Sequence, residues 1–396
     1  MPLLLYTYLA TEVLAPFFAS FVILVSILFL GRLIPLLDII FDFGIGAADF
    51  IRLCAYVAPK LMLFAIPMAS MMGVIIAFTR MVNDNEAMAL KASGIGLYRM
   101  LPPVLAVAVF TAGLTYFSST QLIPRGTVAM QKLFFQLAKE KVEKGVQAKQ
   151  FSEGLKNVVL YVDEVDPQNH AWRGVYLSDM RHKNTPMTII SQTGSLAANI
   201  DEMQITLNLQ QGTMNRAVDD LSQTIHFEKY TLNLPLQPPT HIDGDSITEI
   251  GKNGLSQKQL LERAAQLGRE SQEGLSLLIE YHKRLALPAG CLVLTLLGLP
   301  LGLMAGPGRR PMGVPLGLLF FILYYVLFTA GKAFGENGSL PVMVAIWLPN
   351  GLLAAYTIFL TRRVSRETGR AFFELLFDLF SDPAAKLPWK KGKNRP

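Results

Sequence analysis

The sequence predicts a membrane α-helical bundle of six transmembrane helices, three before and three after an inserted all-β jelly-roll domain. Six apolar runs are each about 20 residues long, which is the length that a helix needs to cross the hydrocarbon core of a bilayer. A polar segment between the third and fourth runs carries short stretches of strand-like alternation. Charged side chains make up only 17% of the 396 residues, which is low for a soluble protein.

The apolar runs divide the chain into two transmembrane halves. The first half is 1–120 and the second is 285–361. The predicted spans are about 12–31, 56–78, 100–120, 285–305, 313–334 and 341–361. Prolines inside several of them are tolerable where neighbouring helices cover the freed carbonyl groups.

The segment between the halves predicts a β-domain followed by a helical connector. Within 121–254, residues 203–210 alternate between apolar and polar side chains with the period of a half-buried strand. Further runs of this kind are separated by Gly, Pro, Asn and Asp, a spacing that favours a sandwich or a jelly roll. Residues 255–284 change to a helical period and lead into the fourth span.

The basic side chains predict the orientation. The tail, 362–396, holds nine basic and four acidic residues and so accounts for most of the net charge of +6. Cytoplasmic termini place the tail and the loop cations on the inner side, as the positive-inside rule requires, and place the β-domain outside. The loop cations are Arg80, Lys91, Arg99, Arg309 and Arg310. Because most of the excess charge lies in the tail, we expect no basic face for nucleic acid on the folded body.

The sequence gives little support to an enzymatic function. It has no GxxxxGK[ST] phosphate loop, so we expect neither a catalytic residue nor a cofactor in this chain. The two cysteines and five histidines show no metal-ligand spacing.

The loop after the second span, residues 83–96, predicts a short helix. Asn83, Asp84 or Asn85 can cap it, Glu86 favours its first turn, and Gly94 can end it. We expect a small, apolar and exposed body, formed by Ala87, Met88, Ala89, Leu90 and Ala92. This helix either docks into a groove on a cytoplasmic partner, with Glu86 facing a cation there, or rests on the membrane as an ordinary interfacial helix.

Five cations lie near the predicted outer ends of the spans: Arg32, Lys60, Lys283, Arg284 and Lys332. Cations that converge there would suit the phosphate groups of an anionic lipid. The alternative is that they reach lipid headgroups singly or pair with acidic residues. The candidate acidic partners are Asp38, Asp42, Asp49, Glu280 and Glu336.

Several stretches, taken in order, resemble the LptF/LptG permease family, whose members are membrane subunits of the lipopolysaccharide-exporting ABC transporter. They are YLATEVLAPF at 8–17, RLIPLLD at 32–38, IPMASMMGVIIAFTRMVNDNEAMALKASG at 66–94, HKRLALPAGCLVLTLLGLPLG at 282–302 and WLPN at 347–350. RLIPLLD and the stretch FEKYTLNL at 227–234 look more LptF-like than LptG-like.

The resemblance implies a location in the bacterial inner membrane and a heterodimer with an LptG-like or LptF-like paralogue. It also implies an LptB-like ATPase dimer that binds ATP and Mg²⁺. A periplasmic jelly roll would pass lipopolysaccharide towards LptC-like and LptA-like bridge proteins. The coupling helix becomes 84–94, with Asp84, Glu86, Ala87, Leu90 and Gly94 as partner contacts. Arg32 and Arg284 fall where relatives place cations facing the lipid cavity, and we add Lys60, Lys283 and Lys332 by position.

Two other functions stay open at this point. A non-transporting scaffold would use the β-domain to dock an envelope assembly partner and would not depend on ATP. An ion-coupled transporter would need acidic residues near the middle of its spans. The predicted spans two to six contain none.

Overall fold

The computed structural model describes residues 2–43, 46–145, 149–155, 158–165, 171–180, 187–199, 204–218, 221–235, 251–304 and 313–366. The chain forms two compact units. The helical unit comprises Met1–Gly31, Ala58–Ile123 and Ser256–Pro396, and the mixed unit comprises Arg32–Val57 and Pro124–Leu255.

Six described helical segments are long and apolar enough to cross a membrane, which confirms the predicted number of spans. They are α1 (Pro2–Phe43), α2 (Ala47–Asn83), α4 (Leu97–Phe117), α7 (Gln272–Leu303), α8 (Gly313–Glu336) and α9 (Val342–Ser365). A π-helical turn, Ser118–Leu122, joins α4 to α5 (Ile123–Gly145). Two short helices are α3 (Glu86–Ala92) and α6 (Gln257–Leu267).

The long helices extend beyond the apolar runs that predict them. Hydropathy marks only the residues suited to hydrocarbon, whereas the helical backbone continues through more polar sequence at either end. The clearest case is α7, which begins at Gln272 within the predicted connector. The connector therefore consists of α6 and the polar first turns of α7.

The helical unit is built on a close parallel contact between α2 and α7. Ser70 Oγ lies 2.7 Å from Thr295 Oγ1. One helical turn further along α7, Gly298 faces the Met71 carbonyl and the Val74 side chain of α2, and Gly302 faces Ile75 and Phe78 on the next turn of α2. Residue numbers rise together along both helices, so the two helices run in the same direction. Small residues at such contacts let helix backbones approach closely where lipid supplies no hydrophobic driving force.

The other helices pack around this pair. Leucine and aromatic residues of α8 and α9 pack against one side of the α2–α7 pair. Residues of α1, α3 and α4 pack against the C-terminal parts of α2 and α7. The Cys291 thiol donates to Thr111 Oγ1 of α4 over 3.7 Å. In contrast, α1 exposes a long apolar stripe, as expected of a helix that faces lipid or another membrane helix. The stripe consists of Phe18, Val22, Ile23, Ile27 and Leu30.

The mixed unit contains a six-stranded antiparallel sheet, which confirms the inserted all-β domain. Its strands are β1 (Phe151–Leu155), β2 (Val158–Val165), β3 (Ala171–Asp179), β4 (Met187–Asn199), β5 (Gln204–Val218) and β6 (Leu221–Pro235). Every described strand pairs with its neighbour in the chain. The described pairings are thus up-and-down, and the crossovers that distinguish a jelly roll are not among them.

The sheet has one apolar face. Leu207 and Leu209 are buried at the positions that the alternation in β5 predicts. They pack with Trp172, Val175, Leu177 and other apolar side chains of β2 to β6, and Phe135 of α5 joins this cluster. Nearby, Leu36 of α1 and Leu53 of α2 pack against Phe134 of α5.

Several residues that the sequence singles out lie outside the described residues. They are Arg309 and Arg310 between α7 and α8, Met203 before β5, and the residues from 367 onward.

Replacing Gly298 with alanine should destabilise the helical unit, because the added methyl group would lie 2.8 Å from the Met71 carbonyl oxygen. Forcing the two backbones apart should cost about 1–3 kcal/mol, which thermal unfolding in detergent or nanodiscs would measure. Gly351→Ala is the matched control, since no atom lies within 4 Å of the added methyl group. Equal stability of the two variants would contradict the close α2–α7 contact.

Candidate functional site

The ends of several helices meet on one side of the helical unit. Leu9 of α1, Met81 of α2 and Leu97 of α4 share a buried cluster with Ala87 of α3. Leu303 near the end of α7 and Val364 near the end of α9 pack against the same cluster. We call this side the α3 end.

The short helix α3 is held by backbone bonds at both of its ends. Asn85 at its N-terminus has a φ of 60°, and the Ala89 amide donates to the Asn85 carbonyl. At its C-terminus the Gly94 amide donates to Lys91 O and the Ile95 amide to Leu90 O, which together form a Schellman motif. Gly94 has a φ of +78°, a conformation that side-chain-bearing residues rarely adopt.

The expected side-chain cap is not formed. Asn85 occupies the cap position, but its side chain makes no cap hydrogen bond. Asp84 instead lies 3.6 Å from Arg80 Nε, one turn back on α2. The left-handed backbone at Asn85 starts the helix and turns the chain without a side-chain acceptor.

The expectation that the whole apolar body of α3 is exposed was wrong for two residues. Ala87 is only 5% exposed and packs into the cluster at the α3 end, and Leu90, three residues later, is half-buried. Residues three apart share one helix face, so these two anchor the helix to the bundle. The outer face is formed by Met88, Ala89 and Ala92, of which Met88 is 54% exposed.

Two sets of polar contacts connect α1 to the α3 end. The Tyr8 hydroxyl donates to Glu86 Oε2 over 2.7 Å. Separately, Arg80 lies between Glu12 of α1 and Asp84, 3.6 Å from a carboxylate oxygen of each. Tyr8 could not be predicted from the sequence, because a contact across 78 residues leaves no local periodic signal.

The opposite end of the helical unit holds four of the five candidate cations. Arg284 Nε donates to Glu280 Oε1 and Lys283 Nζ to Glu280 Oε2, each over 3.1 Å. Arg284 is 1% exposed and Glu280 is 4% exposed. Two cations therefore share one buried carboxylate, and the cluster of three keeps one net positive charge.

The remaining candidates are placed differently. Lys332 of α8 pairs with Glu336 over 3.7 Å. The parallel register of α2 and α7 sets the half-buried Lys60 at about the level of Arg284. Arg32 is half-buried on the part of α1 that belongs to the mixed unit. The structure thus brings Lys283 and Arg284 together on Glu280, and it pairs Lys332 within its own helix.

The described residues contain no group of three His, Cys, Asp or Glu side chains that could hold a metal ion. The buried polar atoms between the helices are mostly hydroxyl groups of Ser and Thr, such as Ser70, Thr111 and Thr295. Side chains of this kind join membrane helices to one another.

The model of the family described as lipopolysaccharide export system permease LptF/LptG matches residues 7–363. An uncharacterized protein of Rickettsia prowazekii (strain Madrid E) is 23% identical over 171 residues, which is 43% of this chain and 47% of that protein. The lipopolysaccharide export system permease protein LptF of Escherichia coli (strain K12) is 24% identical over 208 residues, 51% of this chain and 56% of that protein. The matched regions span about half the length of these relatives. Since the family match covers nearly the whole chain, the protein belongs to the LptF/LptG family of lipopolysaccharide export system permeases.

Proposed function

We propose that this chain is the transmembrane permease subunit of an ABC transporter for lipopolysaccharide. It would extract the lipid from the periplasmic leaflet of the inner membrane and pass it through its β-domain towards the outer membrane. The observation that carries this proposal is α3, a short helix anchored by Ala87 that presents an exposed outer face, with Met88 on it and the acidic Glu86 at its start. Such a face suits docking to a soluble partner.

The charge distribution supports an orientation with the α3 end in the cytoplasm. Basic side chains are frequent at that end, as the positive-inside rule expects of short cytoplasmic segments. They are Arg80, Lys91, Arg99, Arg362 and Arg363. At the opposite end, Lys283, Arg284 and Lys332 pair with acidic residues. The β-domain would then lie in the periplasm.

The partner at α3 would be an LptB-like ATPase dimer. This sequence has no phosphate loop, so ATP and Mg²⁺ would bind to the partner. A heterodimer with an LptG-like or LptF-like chain would supply a second docking helix for the second ATPase subunit. LptC-like and LptA-like bridge proteins would receive the lipid from the β-domain.

The cations opposite α3 would meet the phosphate groups of the lipid. Arg284 already has a carboxylate partner and is buried, so it would contact lipid only after the bundle opens. Lys283 is partly exposed and so is accessible without opening. This arrangement would keep a positive charge at the end opposite α3 without leaving an unpaired guanidinium in the apolar bundle.

Reconstitution tests this proposal against the scaffold alternative. The chain is co-expressed with its paralogue and the candidate ATPase, purified, and placed in liposomes that contain lipopolysaccharide. Transfer of the lipid to an acceptor that depends on ATP supports the transporter. A chain that never co-purifies with an ATPase, or transfer that is independent of ATP, rejects it.

Glu86→Lys should weaken ATPase binding at least tenfold, because it places a cation opposite the cation expected on the partner. Co-purification and the ATPase rate of the reconstituted complex would measure the loss. Glu262→Lys makes the same charge change on the exposed face of α6 and is the control. Normal assembly and activity of Glu86→Lys would remove Glu86 from the docking surface.

Arg284→Met should lower the free energy of unfolding by about 3–5 kcal/mol, since it leaves Glu280 buried with one cation fewer. The double variant Glu280→Leu with Arg284→Met should recover most of that stability in a thermal unfolding assay. If Arg284 also binds lipid phosphate, the stable double variant will show reduced photo-crosslinking to lipopolysaccharide. Unchanged crosslinking would leave Arg284 with a structural role only.

Arg32→Ala should reduce photo-crosslinking of lipopolysaccharide to the complex, because the phosphate groups lose a bidentate donor. Arg263→Ala on α6 removes an exposed arginine elsewhere and should leave the yield unchanged. Equal crosslinking by both variants would favour the interpretation that Arg32 only reaches lipid headgroups.

A further inference from the structure

The start of α1 belongs to the α3 end of the helical unit. Leu9 and Val13 are each 1% exposed and belong to the same buried cluster as Ala87. Tyr8 precedes this apolar contact by one residue and reaches the first residue of α3, Glu86. Apolar packing and a side-chain hydrogen bond therefore connect the first span directly to α3.

The hydrogen bond from Tyr8 fixes one oxygen of the Glu86 carboxylate. The 2.7 Å distance is typical of a hydroxyl donating to a carboxylate. A glutamate at a helix start has three rotatable side-chain bonds, and this contact selects one arrangement of them. Tyr8 uses Oε2, so Oε1 can accept a second donor.

The neighbouring charges explain why that second donor would come from a partner. Arg80 of the neighbouring α2 already lies between Glu12 and Asp84, 3.6 Å from a carboxylate oxygen of each. Glu12, Asp84 and Glu86 with Arg80 leave a net charge of minus two. At the other end of α3, Arg99 donates to the Gly94 carbonyl. The start of the helix is thus acidic, and a basic side chain on a docking protein would complement it.

We infer that Tyr8 is a positioning residue for the docking of the ATPase. Its hydroxyl holds Glu86 in the arrangement that presents Oε1 to a cation of the partner, and it makes the start of α1 move together with α3. This inference rests on the proposed function. It adds the first span to the elements that receive the motion of the ATPase, besides α2 and α4, which flank α3 in the chain.

A double-mutant cycle separates this role from a merely structural one. The variants are Tyr8→Phe, Glu86→Ala and their combination, each in the full-length chain with its paralogue in nanodiscs. The probe is the purified ATPase dimer, titrated for its Kd, with the stimulated ATPase rate and the thermal midpoint recorded in parallel. Tyr6→Phe on the same helix is the matched control.

Tyr8→Phe should raise the Kd three- to tenfold in the chain with Glu86 and less than twofold in the Glu86→Ala background. The thermal midpoint of the permease should stay the same, because phenylalanine keeps the ring in place. Tyr6→Phe should change neither quantity. An equal change in Kd in both backgrounds, or a fall in the thermal midpoint that accounts for it, would show that Tyr8 acts through the fold and would overturn the inference.

The cycle also distinguishes failure of the inference from failure of the proposed function. If Glu86→Ala weakens ATPase binding and Tyr8→Phe does not, Tyr8 has no positioning role and the docking surface stands. If neither variant changes the Kd, Glu86 is not a contact and the inference fails with it. If the ATPase does not bind the unaltered complex, both the proposed function and the inference are rejected.

Discussion

The parallel contact between α2 and α7 determines which helix ends lie together in the helical unit. Ser70 against Thr295 and Gly298 against the Met71 backbone set the register of the two helices. From that register it follows that both helices end beside α3 and that Lys60 and Arg284 lie at the opposite end. A wider spacing would allow the helices to slide, and the separation of the α3 end from the end that holds Lys60 and Arg284 would be lost.

The α3 end and the end opposite it stabilise their charged side chains in different ways. At the end opposite α3, Glu280 accepts hydrogen bonds from both Lys283 and Arg284, because an unpaired charge within an apolar bundle is costly. At the α3 end the charges are closer to solvent, and Arg80 is shared between two acids while Glu86 is held by a neutral hydroxyl. Thus the buried Arg284 has its carboxylate partner within the chain, whereas at the start of α3 the three acidic residues Glu12, Asp84 and Glu86 outnumber Arg80.

The sequence predicted the number of spans and the inserted β-domain because both depend on local periodicity. Gly94 was also predictable, since a glycine after a short helix commonly adopts a positive φ. The pairing of Glu280 with Arg284 was open to prediction from their spacing of four residues. By contrast, the burial of Ala87 and the Tyr8–Glu86 bond depend on how α1 packs on α3. A pattern within a single segment carries no information about such a contact.

Site-specific photo-crosslinking at Met88 tests most directly whether α3 is a docking surface. A photoreactive residue at Met88, on the outer face of α3, is activated in membranes that contain the whole complex. If α3 is the docking surface, a crosslinked product forms with a cytoplasmic ATPase subunit, and none forms when the same residue is placed at the exposed Leu267 of α6. Crosslinks from position 88 only to lipid or to a periplasmic protein would show that α3 does not dock the ATPase.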